Sequence, residues 1–195
     1  MIAFVKGKVF EISPTHIIVD NHEIGYFIRI SLNTYAKINP EKPVFLYTEQ
    51  IVREDANLLY GFYEPLEKEI FKLLISVSGI GPNTAMLILS SMDAEEIQQV
   101  IASEDVGRLK SVKGIGPKTA QRAIIELKDK ILKTYAVQTQ EGMGQSASPV
   151  LNEAVSALEA LGYPKKRADK VVRNIIKENP SISIENIIKN ALKRL

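Results

Sequence analysis

The sequence predicts an α+β protein with three domains: a small β-barrel, a central all-helical domain and a small three-helix domain. Residues 1–62 hold short β-rich runs separated by turn residues, and the apolar spacing becomes helical from Glu64. A stretch at 136–149 then lacks large apolar side chains and indicates a linker. The 195 residues are 45% hydrophobic and 25% charged, which favours packed cores over disorder.

The first 63 residues are expected to form a closed five-stranded barrel of the OB type. The β-rich runs lie at 2–12, 16–19, 23–30, 44–52 and 58–62. A short helix is expected near 31–38, and Asp20-Asn21-His22 supplies turn chemistry between the second and third runs. A small β-sandwich is the competing interpretation of the same pattern.

A repeat in the central domain, residues 64–135, is the strongest signal in the chain. Residues 76–85 read Ser-Val-Ser-Gly-Ile-Gly-Pro-Asn-Thr-Ala, and residues 111–120 read Ser-Val-Lys-Gly-Ile-Gly-Pro-Lys-Thr-Ala. Eight of ten positions are identical at a separation of 35 residues, which indicates an internal duplication. Each unit predicts a helix that ends in Gly-Ile-Gly and a new helix that begins with proline.

The repeated unit has the chemistry of a phosphate-binding hairpin. Its isoleucine can pack between the two helices, while the first-turn N–H groups and the positive dipole end of the second helix face solvent. This arrangement is similar to the helix-hairpin-helix DNA-binding motif, and two copies resemble the paired form that holds both backbones of a duplex. Such contacts read phosphates and groove shape rather than base sequence. The alternative is a plain helical turn with a glycine C-cap.

Charge supports the second hairpin more than the first. Residues 108–133 carry eight basic and two acidic side chains, although the whole chain has a net charge of only +2. The first hairpin has Asn83 where the second has Lys118, so it is expected to hold phosphate more weakly. The candidate DNA-binding residues are Gly79, Ile80, Gly81, Asn83 and Thr84 in the first hairpin, and Lys113, Gly114, Ile115, Gly116, Lys118, Thr119 and Arg122 in the second.

Two adjacent carboxylates, Glu54 and Asp55, lie between the last two β-rich runs. Neighbouring residues of an extended chain point opposite ways, and no third ligand is near in sequence, so the pair is a poor metal site. The chain has no cysteine, two histidines and no Gly-x-x-x-x-Gly-Lys-Ser/Thr loop. We therefore expect no metal, no cofactor and no catalytic residue. In a DNA-binding protein, this acidic turn would repel phosphates.

The C-terminal region, residues 150–195, is expected to form three helices near 150–160, 164–178 and 183–193, after a flexible linker at 136–149. Leu158, Leu161 and Tyr163 form an apolar cluster beside Gly162, which favours contact with a protein partner. The alternative is that these side chains form the core of a very small domain. No apolar run is long enough to suggest a membrane span, and a cytoplasmic chain is expected.

These features together resemble the RuvA family of Holliday-junction-recognition proteins. The segments that carry the resemblance are Val52-Arg53-Glu54-Asp55-Ala56, Leu58-Leu59-Tyr60-Gly61-Phe62, the tandem hairpins, Glu153-Ala154-Val155 and Ala160-Leu161-Gly162-Tyr163. They occur in the order and spacing of the family, and the resemblance covers essentially all 195 residues.

The resemblance implies a structure-specific DNA-binding subunit that is not itself an enzyme. It implies a barrel that assembles a homotetramer, as one ring or a pair of rings, with hairpins that bind the arms of a four-way junction. Glu54 and Asp55 correspond to the family's acidic pin. Leu158, Leu161, Gly162 and Tyr163 correspond to its contact with the RuvB motor ATPase, and the RuvC resolvase is a further partner.

Two other functions fit the paired hairpins. Structure-specific nucleases and base-excision glycosylases also carry them, but a nuclease needs a carboxylate cluster that binds Mg²⁺ and a glycosylase needs a base pocket. A non-specific architectural duplex binder needs neither. Junction cleavage that depends on a divalent metal would indicate the enzyme. Equal affinity for four-way and linear DNA would indicate the architectural protein.

Overall fold

A computed structural model describes residues 1–140, 149–179 and 182–195. The chain divides into two compact units, Met1–Val137 and Gln138–Leu195, and each is described here by itself. The expected linker at 136–149 falls mostly on residues 141–148, which lie outside the described residues. The last helix of the first unit continues through Gln140, so residues 136–140 are helical where the sequence predicted linker.

Five strands of the first unit close into a barrel, as the sequence predicted, and the sandwich alternative is wrong. The strands are β1 (Phe4–Ser13), β2 (His16–Asn21), β3 (Ile24–Ile30), β4 (Val44–Val52) and β5 (Asn57–Phe62). Their order around the barrel is β1-β2-β3-β5-β4, and β4 returns to pair with β1. The short β3–β5 pairing is parallel, and the other neighbours are antiparallel.

The barrel is filled by β-branched and aliphatic side chains that alternate along its strands. Its fully or nearly buried members are Val5, Ile17, Val19, Ile28, Ile30, Val44 and Leu46. A short helix, α1 (Leu32–Lys37), follows β3 because the side chain of Ser31 caps it and accepts a hydrogen bond from the backbone N–H of Thr34.

The turn between β2 and β3 lies slightly later than the sequence suggested. It consists of His22 and Glu23, which have φ of 51° and 70°. Two consecutive left-handed residues make the tight connection that matches the twist of antiparallel strands. Asp20 contributes through its carboxylate, which accepts a hydrogen bond of 3.0 Å from the backbone N–H of Glu23.

The central helices follow β5 without a break in packing. They are α2 (Pro65–Ile75), α3 (Pro82–Ser91), α4 (Ala94–Ala102), α5 (Val106–Lys110) and α6 (Pro117–Gln140). Tyr60 and Phe62 of the barrel's last strand are buried in the core of these helices, where both rings lie about 5 Å from the ring of Phe71. The barrel and the helices therefore share a core within the unit Met1–Val137.

A buried carboxylate joins the first central helix to the barrel. Glu67 of α2 is 5% exposed, and its two oxygens accept hydrogen bonds from the hydroxyls of Ser31 and Thr34, the latter at 2.6 Å. The Thr34 hydroxyl also accepts a hydrogen bond of 3.0 Å from the backbone N–H of Tyr63. Burial raises the pKa of Glu67 above its ordinary value, and the two hydroxyl hydrogen bonds oppose that rise.

The second unit contains the three helices expected of the C-terminal region, within one or two residues of their predicted ends. They are α7 (Pro149–Ala160), α8 (Lys165–Glu178) and α9 (Ile184–Arg194). Its core is small and aliphatic: Leu151, Ala154, Val155, Leu158, Ala168, Val172, Ile175, Ile187 and Ala191 are buried. So thin a core makes single substitutions in it costly.

Candidate nucleic-acid interface

The two copies of the repeat fold into hairpins with the same backbone geometry. The first connects α2 to α3 and the second connects α5 to α6. Gly79 has φ of 96° and Gly114 has φ of 92°, a conformation that side-chain-bearing residues adopt only with strain. Only glycine therefore suits this position without strain, which explains why both copies keep it.

Matching hydrogen bonds close the two turns. The N–H of Ile80 donates to the carbonyl of Val77 at 3.0 Å, and the N–H of Ile115 donates to the carbonyl of Val112 at 3.1 Å. The isoleucines are only 4% and 6% exposed, so they pack between the helices as the sequence predicted. Of these two candidate DNA-binding residues, only the backbone is therefore available to a ligand.

The packing of the fold does not require a glycine at the second glycine position of each hairpin, Gly81 or Gly116. Gly81 has an ordinary φ of −85°, and a Cβ added at either position would have no heavy atom within 4 Å. Each stands directly before the first turn of a helix, where backbone N–H groups lack intrahelical partners. Glycine here leaves the approach to those N–H groups open, which suits an anionic ligand that must come close.

The two hairpins are neighbours in space. A Cβ added to Gly79 would lie 3.6 Å from both the Cγ2 and the Oγ1 atoms of Thr119, which opens the helix of the second hairpin. Thr119, a candidate contact from the sequence, therefore faces the first hairpin, and Thr84 occupies the corresponding place in α3. The two candidate phosphate sites are therefore adjacent.

The second hairpin presents free cations. Lys113 and Lys118 are exposed, and neither takes part in an ion pair within the described part of the chain. Arg122 is exposed and only loosely paired, with 3.9 Å between its Nε and a carboxylate oxygen of Glu126. Exposed pairs of this kind contribute little, so all three charges remain available to a polyanion.

Asn83 makes contacts that the sequence did not suggest. Its Oδ1 accepts a hydrogen bond of 3.0 Å from Nη1 of Arg29 on β3 and lies 3.4 Å from the hydroxyl of Tyr60 on β5. The first hairpin is thereby attached to the barrel. Arg29 and Tyr60 carry no local signal for this role, because they lie 54 and 23 residues from Asn83 along the chain.

The acidic pair lies at the tip of the β4–β5 hairpin. The N–H of Arg53 donates to the carbonyl of Ala56 at 2.7 Å and closes the loop beyond the Val52–Asn57 pair. Glu54 and Asp55 are both exposed at this tip. Within residues 1–140, 149–179 and 182–195, no three His, Cys, Asp or Glu side chains are grouped to hold a metal ion.

The predicted apolar patch of the C-terminal domain is divided by its fold. Leu158 is fully buried in the helix core, so its assignment to a partner-facing surface is wrong and the core alternative holds for it. Leu161 is 59% exposed, and Tyr163 is half-buried. Gly162 has φ of 94°, and this left-handed residue ends α7 so that Leu161 projects outward while Tyr163 returns its N–H to the carbonyl of Leu158.

The helices of the described residues include none that is long and apolar enough to cross a membrane.

Three family models match the chain in sequence order. They are the RuvA N-terminal domain over residues 1–61, the SAM-like helix-hairpin-helix tandem over 71–129 and the RuvA C-terminal domain over 149–195. The matched ranges correspond to the barrel, the paired hairpins and the three-helix unit.

Curated relatives match over their full length. The chain is 49% identical to a protein of Christiangramia forsetii and 50% identical to one of Flavobacterium psychrophilum, each over 195 residues and 100% of both chains. It is also 49% identical over 202 residues to a protein of Bacteroides thetaiotaomicron, again over 100% of both chains. Each of these relatives is named Holliday junction branch migration complex subunit RuvA.

Proposed function

The chain belongs to the RuvA family, and from that membership we propose how its residues recognise a Holliday junction. Like its full-length relatives, it is a subunit of the Holliday junction branch migration complex. It acts there as a DNA-binding subunit and not as an enzyme in its own right.

The paired hairpins bind the sugar-phosphate backbone of a junction arm. The observation that carries this assignment is the open approach to the helix N-termini behind Gly81 and Gly116. The first-turn N–H groups and the dipoles of α3 and α6 attract phosphate at these points. Lys113, Lys118 and Arg122 add charge beside the second of them. These groups contact phosphates and no base edge, so binding depends on DNA shape and not on sequence.

The acidic tip works at the point where strands exchange between arms. Glu54 and Asp55 are exposed, and among the described residues they belong to no ion pair and no group that could hold a metal ion, so electrostatic repulsion is the effect they offer. Unit charges about 4 Å apart interact by about 1 kcal/mol in water, and by more where water is excluded. The tip therefore discourages re-pairing of strands at the crossover and steers them between arms.

A four-armed substrate suits a four-fold assembly of this chain. A ring of four copies offers each arm one pair of hairpins and gathers four acidic tips at the centre. We propose this homotetramer, as one ring or as two rings on opposite faces, in the bacterial cytoplasm. The C-terminal unit recruits the RuvB motor ATPase through Leu161 and Tyr163, and the RuvC resolvase can act on the same junction.

A gel-shift titration tests the proposal. The full-length chain is titrated against a synthetic four-way junction and a linear duplex of equal length, at two salt concentrations and without divalent metal. We expect a strong preference for the junction that survives at the higher salt. Equal affinities for the junction and the duplex, both falling steeply as salt rises, would instead indicate a non-specific phosphate binder. Cleavage of the junction on addition of Mg²⁺ would indicate a nuclease.

A further inference from the structure

The two hairpins differ in charge at a position where their geometry is the same. Residues 76–85 of the first hairpin contain no Lys or Arg, whereas the second carries Lys113 and Lys118. Asn83 and Lys118 are both the second residue of the helix that follows their hairpin. A backbone-only phosphate site lacks the charge-assisted contacts that make such binding strong.

Two arginines of the barrel, Arg29 and Arg53, lie beside the first hairpin. Arg29 on β3 places its Nη1 atom 3.0 Å from Oδ1 of Asn83. The same oxygen lies 3.4 Å from the hydroxyl of Tyr60, so two barrel residues meet the hairpin side chain at one point. The guanidinium therefore stands beside the helix position whose counterpart in the second hairpin is itself a cation, Lys118.

The charge of Arg29 is not neutralised by a carboxylate in the described ranges, because none of the ion pairs found there includes Arg29. Asn83 is a neutral acceptor and engages one guanidinium nitrogen, which leaves further N–H donors unused. The side chain is only half-buried, so these donors can reach an incoming ligand. A planar guanidinium with free donors matches the geometry of phosphate oxygens.

The surface beside this contact is concave. A cavity of about 140 Å³ is lined by Gly81, Pro82, Asn83 and Thr84 of the hairpin and by Arg53, Leu58 and Tyr60 of the β4–β5 hairpin. It lies directly before the first turn of α3, where the approach is open at Gly81. Arg29 lines a neighbouring cavity of about 530 Å³, which shares Tyr60 and Asn83 with the smaller one. Asn83 therefore borders both the open approach to α3 and the guanidinium of Arg29.

We propose that Arg29, a barrel residue held by Asn83, is a phosphate-binding cation of the first hairpin. This inference rests on the proposed function, because it assumes that the hairpins bind DNA backbone. From Asn83 alone, the first hairpin was expected to hold phosphate more weakly than the second. With Arg29 beside it, the first hairpin also has a cation, which the barrel supplies. The barrel is then part of the DNA-binding surface, and its contribution passes through a side chain outside the repeat.

The test measures the affinity of the full-length chain for a four-way junction over a range of salt concentrations. Arg29→Gln removes the charge but keeps an amide donor that can still reach Asn83. We expect it to weaken binding several-fold and to lower the slope of log affinity against log salt by about 0.9 for each phosphate that is no longer neutralised. Arg29→Lys should keep the slope. Arg29→Gln combined with Asn83→Lys should restore both affinity and slope.

Two controls separate the possible failures. Lys8→Gln removes an exposed charge elsewhere on the same barrel and should change affinity far less. Lys118→Gln tests the second hairpin directly, so a variant that binds like wild type would count against the proposed function as a whole. If Lys118→Gln weakens binding while Arg29→Gln does not, only the role of Arg29 is refuted. Weaker binding by Arg29→Gln with an unchanged salt slope and a lowered Tm would show a structural role, which also refutes it.

Discussion

At the scale of single residues, the four hairpin glycines serve two different purposes. Gly79 and Gly114 have positive φ and are required by the backbone of the turn. Gly81 and Gly116 are not required by the fold, since an added Cβ would meet open space. The repeat contains all four glycines, but the backbone explains only Gly79 and Gly114. Close approach of a phosphate would explain Gly81 and Gly116.

This difference gives a prediction that separates folding from binding. Gly114→Ala forces a side chain into a left-handed conformation, so we expect it to lower the free energy of unfolding by about 1–2 kcal/mol. Gly116→Ala should leave Tm within a degree or so of wild type and still weaken junction binding, because its methyl group blocks the N–H groups of α6. Thermal unfolding and junction titration of both variants check this. A Gly116→Ala variant with unchanged affinity would contradict the assignment of α6 as a phosphate site.

Glu67 gives a second prediction at this scale, on the pH dependence of stability. Its pKa is raised in the folded chain, mainly by burial, so the folded state favours the protonated carboxyl more than the unfolded state does. The resulting stabilisation is fully present below the unfolded pKa and is lost as pH rises through the folded pKa. Between those limits, we expect wild-type stability to fall with increasing pH relative to Glu67→Gln.

Thermal unfolding from acidic to neutral pH measures this difference. Glu69→Gln, on the exposed side of the same helix, is the matched control, since it removes a carboxylate that pairs only with Lys72 at the surface. The Tm of Glu67→Gln minus the Tm of wild type should increase with pH. The same difference for Glu69→Gln should stay constant. A constant difference for Glu67→Gln would show that this carboxylate does not titrate differently in the folded state.

At the scale of elements, the β4–β5 hairpin is a rigid support with a charged tip. Tyr60 and Phe62 fix β5 in the helical core, while the loop beyond Val52 and Asn57 projects Glu54 and Asp55 into solvent. Because neither carboxylate belongs to an ion pair in the ranges described, their charge can be removed without disturbing the strands.

We therefore expect the double variant Glu54→Gln and Asp55→Asn to fold normally and to bind the four-way junction as tightly as wild type or more tightly. Two fewer negative charges per chain near DNA lower electrostatic repulsion, and the gain should be larger at low salt because screening is weaker. Junction titration at two salt concentrations measures this effect. Loss of binding in a variant of unchanged Tm would mean that the carboxylates make an attractive contact.

At the scale of the whole molecule, the C-terminal unit forms a compact unit of its own, with a core separate from those of Met1–Val137. We expect Leu161→Asp to abolish recruitment of the RuvB motor while junction binding stays unchanged, because Leu161 is exposed and its replacement leaves no cavity. Leu158→Asp is the contrasting variant, since it buries a charge in the helix core and should unfold this unit. Motor binding measured by pull-down, with circular dichroism of each variant, distinguishes the two. Retained motor binding by Leu161→Asp would place the contact elsewhere.

Much of this architecture could be predicted because it is local in sequence. The strands of the barrel follow from alternation, and both hairpins follow from Gly-Ile-Gly-Pro, whose turn conformation depends on adjacent residues. The left-handed pair His22 and Glu23 was not predicted, because residues other than glycine adopt that conformation uncommonly and the strand pairing imposes it here.

Contacts between distant segments were also beyond the sequence pattern. The Arg29–Asn83 hydrogen bond joins residues 54 positions apart, and the network around Glu67 reaches back 36 positions to Ser31. Leu158 and Leu161 are three residues apart on an apolar pattern, which suggests one face. The left-handed turn at Gly162 ends the helix, so Leu158 is buried in the core while Leu161 is exposed to solvent. Only Leu161 is therefore accessible to a partner.

The burial of β5, a strand of the barrel, in the core of the helices has a mechanical consequence. The strand that follows the acidic tip packs against the helices that carry the two hairpins, through Tyr60, Phe62 and Phe71. The tip and the hairpins belong to one compact unit, Met1–Val137, so we expect a load applied to a DNA arm held by the hairpins to reach the tip. When a motor pulls on an arm, we therefore expect the force to act on the strands near the acidic tip as well as on the arm itself.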